Sequence, residues 1–214
     1  MKINTSRAET FSDGVMAIVI TIMTLALFPE ITAETTDRDL FFLLKKLLPR
    51  FIAYILSFVM IGIFWINHHH MFHLLEKTDE PLLFQNLHFL FWLSLIPMAT
   101  EILGTRPFLS YSSIIYGFVM LMTTLAFTIM RVHATKKGLV HTDENPDLTR
   151  KIQKLSIKAK TKSMIGAAAY LLSLPMALVS VYGSFLCFLI PPIIFFIPDG
   201  IDDDVLADKI SRKN

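Results

Sequence analysis

Cysteine is almost missing from this sequence. Cys187 stands alone inside an apolar tract, so no intramolecular disulfide framework is available. The residue reads as packing. Charge is the second scarcity: only 18% of the 214 residues are Asp, Glu, Lys or Arg, against 53% hydrophobic. That balance is too apolar for an ordinary water-soluble domain of this length. Internal repeats and low-complexity linkers are lacking too, which leaves one bundle as the simplest organisation. No nucleophile, base and oxyanion constellation is present, so the chain is read as a non-enzyme. No nucleic-acid partner and no cofactor are expected.

The gaps in the charge pattern carry the organisation. Sixteen uncharged residues lie between Asp13 and Glu30, 17 between Arg50 and His68, 20 between Glu80 and Glu101, and 24 between Arg106 and Arg131. Each approaches the roughly 20 apolar residues with which a helix crosses a hydrocarbon core of ~30 Å. From Ser163 to Pro198 no charge occurs in 36 residues, room for two short spans with a turn expected at Tyr182-Gly183-Ser184. Spanning segments must satisfy their own backbone hydrogen bonds, and continuous apolar runs argue for helices rather than a barrel of alternating residues. The expected fold is therefore an all-α membrane protein of six transmembrane helices, a single domain over 1–198 with a tail over 199–214.

Six spans place both termini on one side. That side collects fifteen Lys and Arg, nine of them in the loop over 131–163, and the other side five. Basic loops stay cytoplasmic, so both termini are expected inside a cell membrane crossed several times. The loop's net charge of +6, once Asp143, Glu144 and Asp147 are counted, is explained by topology before any role in holding anionic lipid. A cleaved leader ending near Ile31-Thr32-Ala33 is disfavoured, because Glu9 and Asp13 offset Lys2 and Arg7 in the flank. After Asp37-Arg38-Asp39, apolar positions from Leu40 to Leu48 recur at helical spacing and predict an interfacial or extended second helix, with Pro49 in its first part. A helix is expected from Pro146 after an Asn145 cap. Asp202-Asp203-Asp204 lacks the spacing of a calcium loop and reads as solvated tail.

The most informative stretch is Arg7-Ala8-Glu9-Thr10-Phe11-Ser12-Asp13, directly before the first apolar tract. Such groups at the mouth of a membrane helix are costly unless paired or wet. The plain role is capping, with Ser12 or Asp13 on the helix dipole and Arg7 snorkelling to the interface. Four histidines, His68, His69, His70 and His73, invite a metal reading, since His69 and His73 stand at i and i+4. A closed zinc site needs about four ligands. The spans offer no carboxylate beyond Asp13 at a mouth, and no metal is assigned.

The Arg-x-x-x-Phe-Ser-Asp run resembles the signature of the transmembrane protein 175 family, the endolysosomal potassium channel and its prokaryotic homologues. Trp65-Ile66-Asn67-His68-His69 with Met71-Phe72 resembles that family's second-helix ending, and Asn86, Pro97 and Thr100 its third helix. Met98 departs from the pattern, where Phe often follows the proline. The signature occurs once, which by this likeness implies a homotetramer in lipid that conducts potassium ions passively. The resemblance also implies a central pore lined by the first helix, with no reentrant pore loop; no Thr-Val-Gly-Tyr-Gly filter is found. Its constriction falls on Ile18, with Ile22 and Leu25 as further apolar rings and Thr21 as a polar layer. By the same likeness Arg7, Ser12 and Asp13 belong to a structural network in which serine and aspartate meet Trp65 and His69, with His68 and His88 as alternates. Composition alone would assign Ile18, Ile22 and Leu25 to lipid-facing or core packing. The rival functions are a histidine-dependent metal or cation transporter and a structural membrane subunit without a pathway.

Overall fold

The computed structural model describes residues 5–25, 27, 36–140 and 146–196, with the side chains of 146–156 and 196 excepted. The pieces 26, 28–35, 141–145 and 197–214 lie outside it, and with them the expectations for Ile31-Thr32-Ala33, Asn145, Asp202-Asp203-Asp204 and the tail. Seven helices appear among the described residues: α1 Thr5–Leu25, α2 Asp37–His73, α3 Glu80–Ser94, α4 Ile96–Thr105, α5 Ser110–Lys136, α6 Pro146–Val179 and α7 Val181–Phe196. Extended pairing among them is limited to one isolated bridge, Leu75 with Val140.

Five helical stretches are long and apolar enough to cross a membrane, α3 and α4 counting as one over Glu80–Thr105. The shorter apolar helix at Val181–Phe195 makes the sixth. The chain is thus an all-α, multi-pass membrane protein. The third crossing is broken because Pro97 has no N–H to give and its ring crowds the preceding turn. The Leu95 amide turns back to the Trp92 carbonyl at 3.2 Å, and α4 restarts at Ile96.

Three loop-level expectations meet the structure. The apolar run after Asp39 belongs to an extended α2 that holds Pro49 within it and opens with a capping box between Thr36 and Asp39. The basic segment from Pro146 continues directly into the fifth crossing as α6. The last turn, in contrast, is not at Tyr182-Gly183-Ser184, which lie inside α7. It falls at Ser180, the single non-helical residue between α6 and α7. Serine is a strong helix-capping residue, and the Gly183 amide donates to Ser180 Oγ at 3.4 Å.

The buried core lies along one side of α1, α2 and α3 and around most of α5. Phe64 of α2, Phe89 of α3 and Phe127 of α5 pack on one another at centroid separations of 5.2–6.3 Å, with the His68 ring 5.9 Å from Phe89 and 6.5 Å from Phe127. At the opposite end α2 and α4 touch backbone to backbone. A Cβ built on Gly104 would stand 2.7 Å from Arg50 Cα, so only glycine permits the crossing. Arg50 and Glu101 form an ion pair at 3.7 Å beside it. Between these ends a buried hydroxyl cluster joins three crossings: Ser57 Oγ lies 2.7 Å from Thr100 Oγ1 and donates to Tyr116 Oη at 3.2 Å. Among buried apolar side chains such bonds satisfy groups that would otherwise be costly.

Candidate functional site

The N-terminal end of α1 is tied to α2 and α3 by polar side chains. The innermost tie is a directed chain. His68, fully buried on α2, sits with Nε2 3.0 Å from Asn86 Oδ1 on α3. Asn86 Nδ2 donates to Ser12 Oγ on α1 at 2.8 Å, and Ser12 donates to the Ala8 carbonyl at 2.9 Å. Since the amide oxygen can only accept, this arrangement assigns the proton of His68 to Nε2. Phe72 and Phe89 stack on the imidazole at 4.2 and 5.9 Å. Two outer ties flank the chain. Trp65 Nε1 donates to Asp13 Oδ1 at 3.1 Å, and His69 Nδ1 lies 3.1 Å from Glu9 Oε1, the Trp65 and His69 rings being stacked at 5.9 Å.

Among the expected partners, Asp13 and Trp65 are brought together directly. Ser12 reaches a histidine only through Asn86, and that histidine is His68. His69 instead faces Glu9, which sequence reasoning had not singled out. His88 is bonded to Trp92 on its own helix and stands apart from α1. Arg7 is exposed and, among the described residues, outside this network. A second buried polar centre was also missed: Arg131 of α5, 7% exposed, donates to Asn67 Oδ1 at 3.0 Å and to Ser163 Oγ at 3.3 Å while lying 4.7 Å over the Phe127 ring. Its place at the end of an apolar tract was the available signal, because a base at membrane depth demands partners.

The rest of α1 divides into two faces. Met16, Val19 and Met23 continue the stripe of Ser12 into the core. On the opposite face Ile18, Ile22 and Leu25 are 58%, 48% and 63% exposed. Thr21 lies among them, and Gly14, Ala17 and Thr24 share the uncovered side. A side chain on Gly14 would meet nothing within 4 Å. Thr21 donates its hydroxyl hydrogen to the Ile18 carbonyl at 2.8 Å, and Thr24 donates to Thr21 at 2.6 Å. Their donors are therefore used internally, which leaves the exposed hydroxyl oxygens as acceptors.

Likenesses to known proteins bear on this arrangement. The family model described as Endosomal/lysosomal potassium channel TMEM175 matches residues 7–97, which span α1, α2, α3 and the start of α4. A protein named as a potassium channel in Chryseobacterium sp. (strain P1-3) is 38% identical over 194 residues, covering 90% of this chain and 93% of its own. The chain belongs to the TMEM175 family. The human protein named endosomal/lysosomal proton channel TMEM175 is 33% identical over 101 residues, covering 44% of this chain but only 20% of the human one. The crystal structure of a TMEM175 homologue from Chamaesiphon minutus superposes with a TM-score of 0.76 at 24% identity, covering 92% of this chain and 98% of the other. At that identity the likeness speaks for the TMEM175 fold.

Proposed function

We propose that this TMEM175 protein is a potassium channel: four copies surround a pore lined by α1 and conduct the ion passively, with both termini in the cytoplasm. The observation that carries the reading is the uncovered face of α1, where a stripe of Ile18, Ile22 and Leu25 alternates with threonine hydroxyls. Of the apolar part of α1 only 22% is buried by its own chain, close to the 28% of α2 and far below the 67% of α5. A helix face that mixes apolar side chains with hydroxyls suits the axis of an assembly better than lipid.

In this reading Ile18 forms the main constriction, with Ile22 and Leu25 as further rings. A narrow apolar ring excludes liquid water, so it closes by dewetting and passes an ion only after partial dehydration. Potassium loses its shell more cheaply than sodium, and Thr21 offers oxygen atoms beside the ring to replace part of it. Selectivity of this origin is softer than that of a carbonyl filter. The polar ties of Ser12, Asp13 and Glu9 hold the cytoplasmic end of the pore helix.

The test is potassium flux from proteoliposomes, wild type against Ile18→Asn. A polar ring wets the constriction, so the variant is expected to leak faster by tenfold or more. Equal flux in the two, or none in either, removes the assignment. Loading with a proton gradient in place of potassium separates this reading from proton conduction, the activity in the human relative's name. The rival carrier reading draws on Glu9, His69 and His73, which lie together. These residues sit at the end of the bundle rather than along a route through it, and a carrier would saturate and depend on His69.

A further inference from the structure

We propose that Glu9, His69 and His73 form a binding site for a zinc-class divalent cation that bridges α1 and α2. The three residues present ligand atoms that all lie within 4.8 Å of one another, the one such group of His, Cys, Asp or Glu among the described residues. They come from two helices. Glu9 stands on the third residue of the family-like signature, and His69 and His73 occupy successive turns of α2, their rings edge to face at 4.5 Å. Imidazoles at i and i+4 on one helix face are a recurring pair of zinc ligands.

Geometry and donor chemistry agree. Tetrahedral zinc with bonds of about 2.0–2.1 Å holds its ligand atoms about 3.4 Å apart. His69 Nδ1 and Glu9 Oε1 are already 3.1 Å apart, so the cation takes the place of the hydrogen between them. His73 is exposed, and swinging its ring inward from within 4.8 Å is a side-chain movement. Stacking on Trp65, itself bonded to Asp13, fixes the plane of His69. Two imidazoles and one carboxylate select Zn²⁺ or Co²⁺ over Mg²⁺ and Ca²⁺, which take oxygen ligands. The exposed side leaves the fourth position to water. An occupied site replaces one hydrogen bond between α1 and α2 with metal bonds, and so fastens the two helices.

The site stands on this geometry and not on the conduction reading, and its test reads binding directly. Isothermal titration of the purified full-length protein in detergent with ZnCl₂ is expected to show saturable uptake of about one zinc per chain, with a rise of several degrees in melting temperature. His73→Ala and Glu9→Gln should each weaken binding at least tenfold, while His73→Cys, which restores a ligand, should retain it. His70→Ala should bind as wild type does. Size-exclusion profiles establish that each variant is folded. Absence of saturable binding, or unchanged affinity in His73→Ala, overturns the site; equal uptake of MgCl₂ overturns the assigned class of cation.

Discussion

At Ser12, Asn86 and His68 three helices share one line of hydrogen bonds, with Asn86 as the link between the other two. Asn86 both accepts from His68 and donates to Ser12. Asn86→Leu therefore strands His68 Nε2 in an apolar interior, at a cost of about 1–3 kcal/mol, and leaves Ser12 only its bond to the Ala8 carbonyl. A marked fall in melting temperature and in monodisperse yield is expected, and a variant as stable as wild type would contradict the chain. Asp13→Ala releases Trp65 at the outer tie. It is expected to lower assembly yield or current more than the potassium to sodium permeability ratio; unchanged yield and current would refute the clamp. Ser12 and Asp13 were legible because polar groups at a membrane mouth stand out, whereas Trp65 entered only through the family likeness. That likeness put His69 ahead of His68 as the histidine of the network, since which of two adjacent histidines faces α3 depends on the rotation of α2 in the bundle. That rotation is set by packing of Phe64, Phe72 and Phe127, not by any local signal.

Helix-level features were legible where charge or proline marked them. The gaps between charged residues locate the crossings, and Pro49 falls inside α2 as expected. The break at Leu95 was not anticipated, because the tract between Glu80 and Glu101 is uncharged throughout, and only the backbone effect of Pro97 divides it. The turn at Ser180 was placed too late because Gly183 looked like the turn residue when the serine before it supplies the cap. Gly104 allows the closest approach of α2 and α4, so Gly104→Leu should force Arg50 and its helix away and lower the melting temperature strongly, whereas Gly14→Ala, facing open space, should change it little. At the α3 start, Asp79 accepts from the Leu82 amide at 2.9 Å and pairs with His133 Nε2 at 2.9 Å. Partial burial pushes its carboxyl upward, yet these hydrogen bonds outweigh it and hold the group below the ordinary value of 3.8. A carboxyl depressed in the folded state stabilises above its unfolded value and loses that contribution as pH falls through the folded one. Melting curves taken downward from about pH 5 should show this loss in wild type and a smaller one in Asp79→Asn.

For the whole molecule, one chain leaves a continuous face of its first helix bare. Exposed apolar side chains on the outer helices, such as Ile55, Phe58, Leu87 and Leu171, are explained by lipid. The face of α1 differs in carrying threonines and small residues among its isoleucines. Its meaning was reached from a family likeness, because apolar periodicity alone cannot tell a pore from a lipid contact. The central claim is that potassium passes along this face through a constriction at Ile18. It is tested most directly by potassium flux from proteoliposomes of wild type and Ile18→Asn side by side: the account predicts passive flux in wild type and at least tenfold faster flux in the variant, and identical or absent flux in both would contradict it.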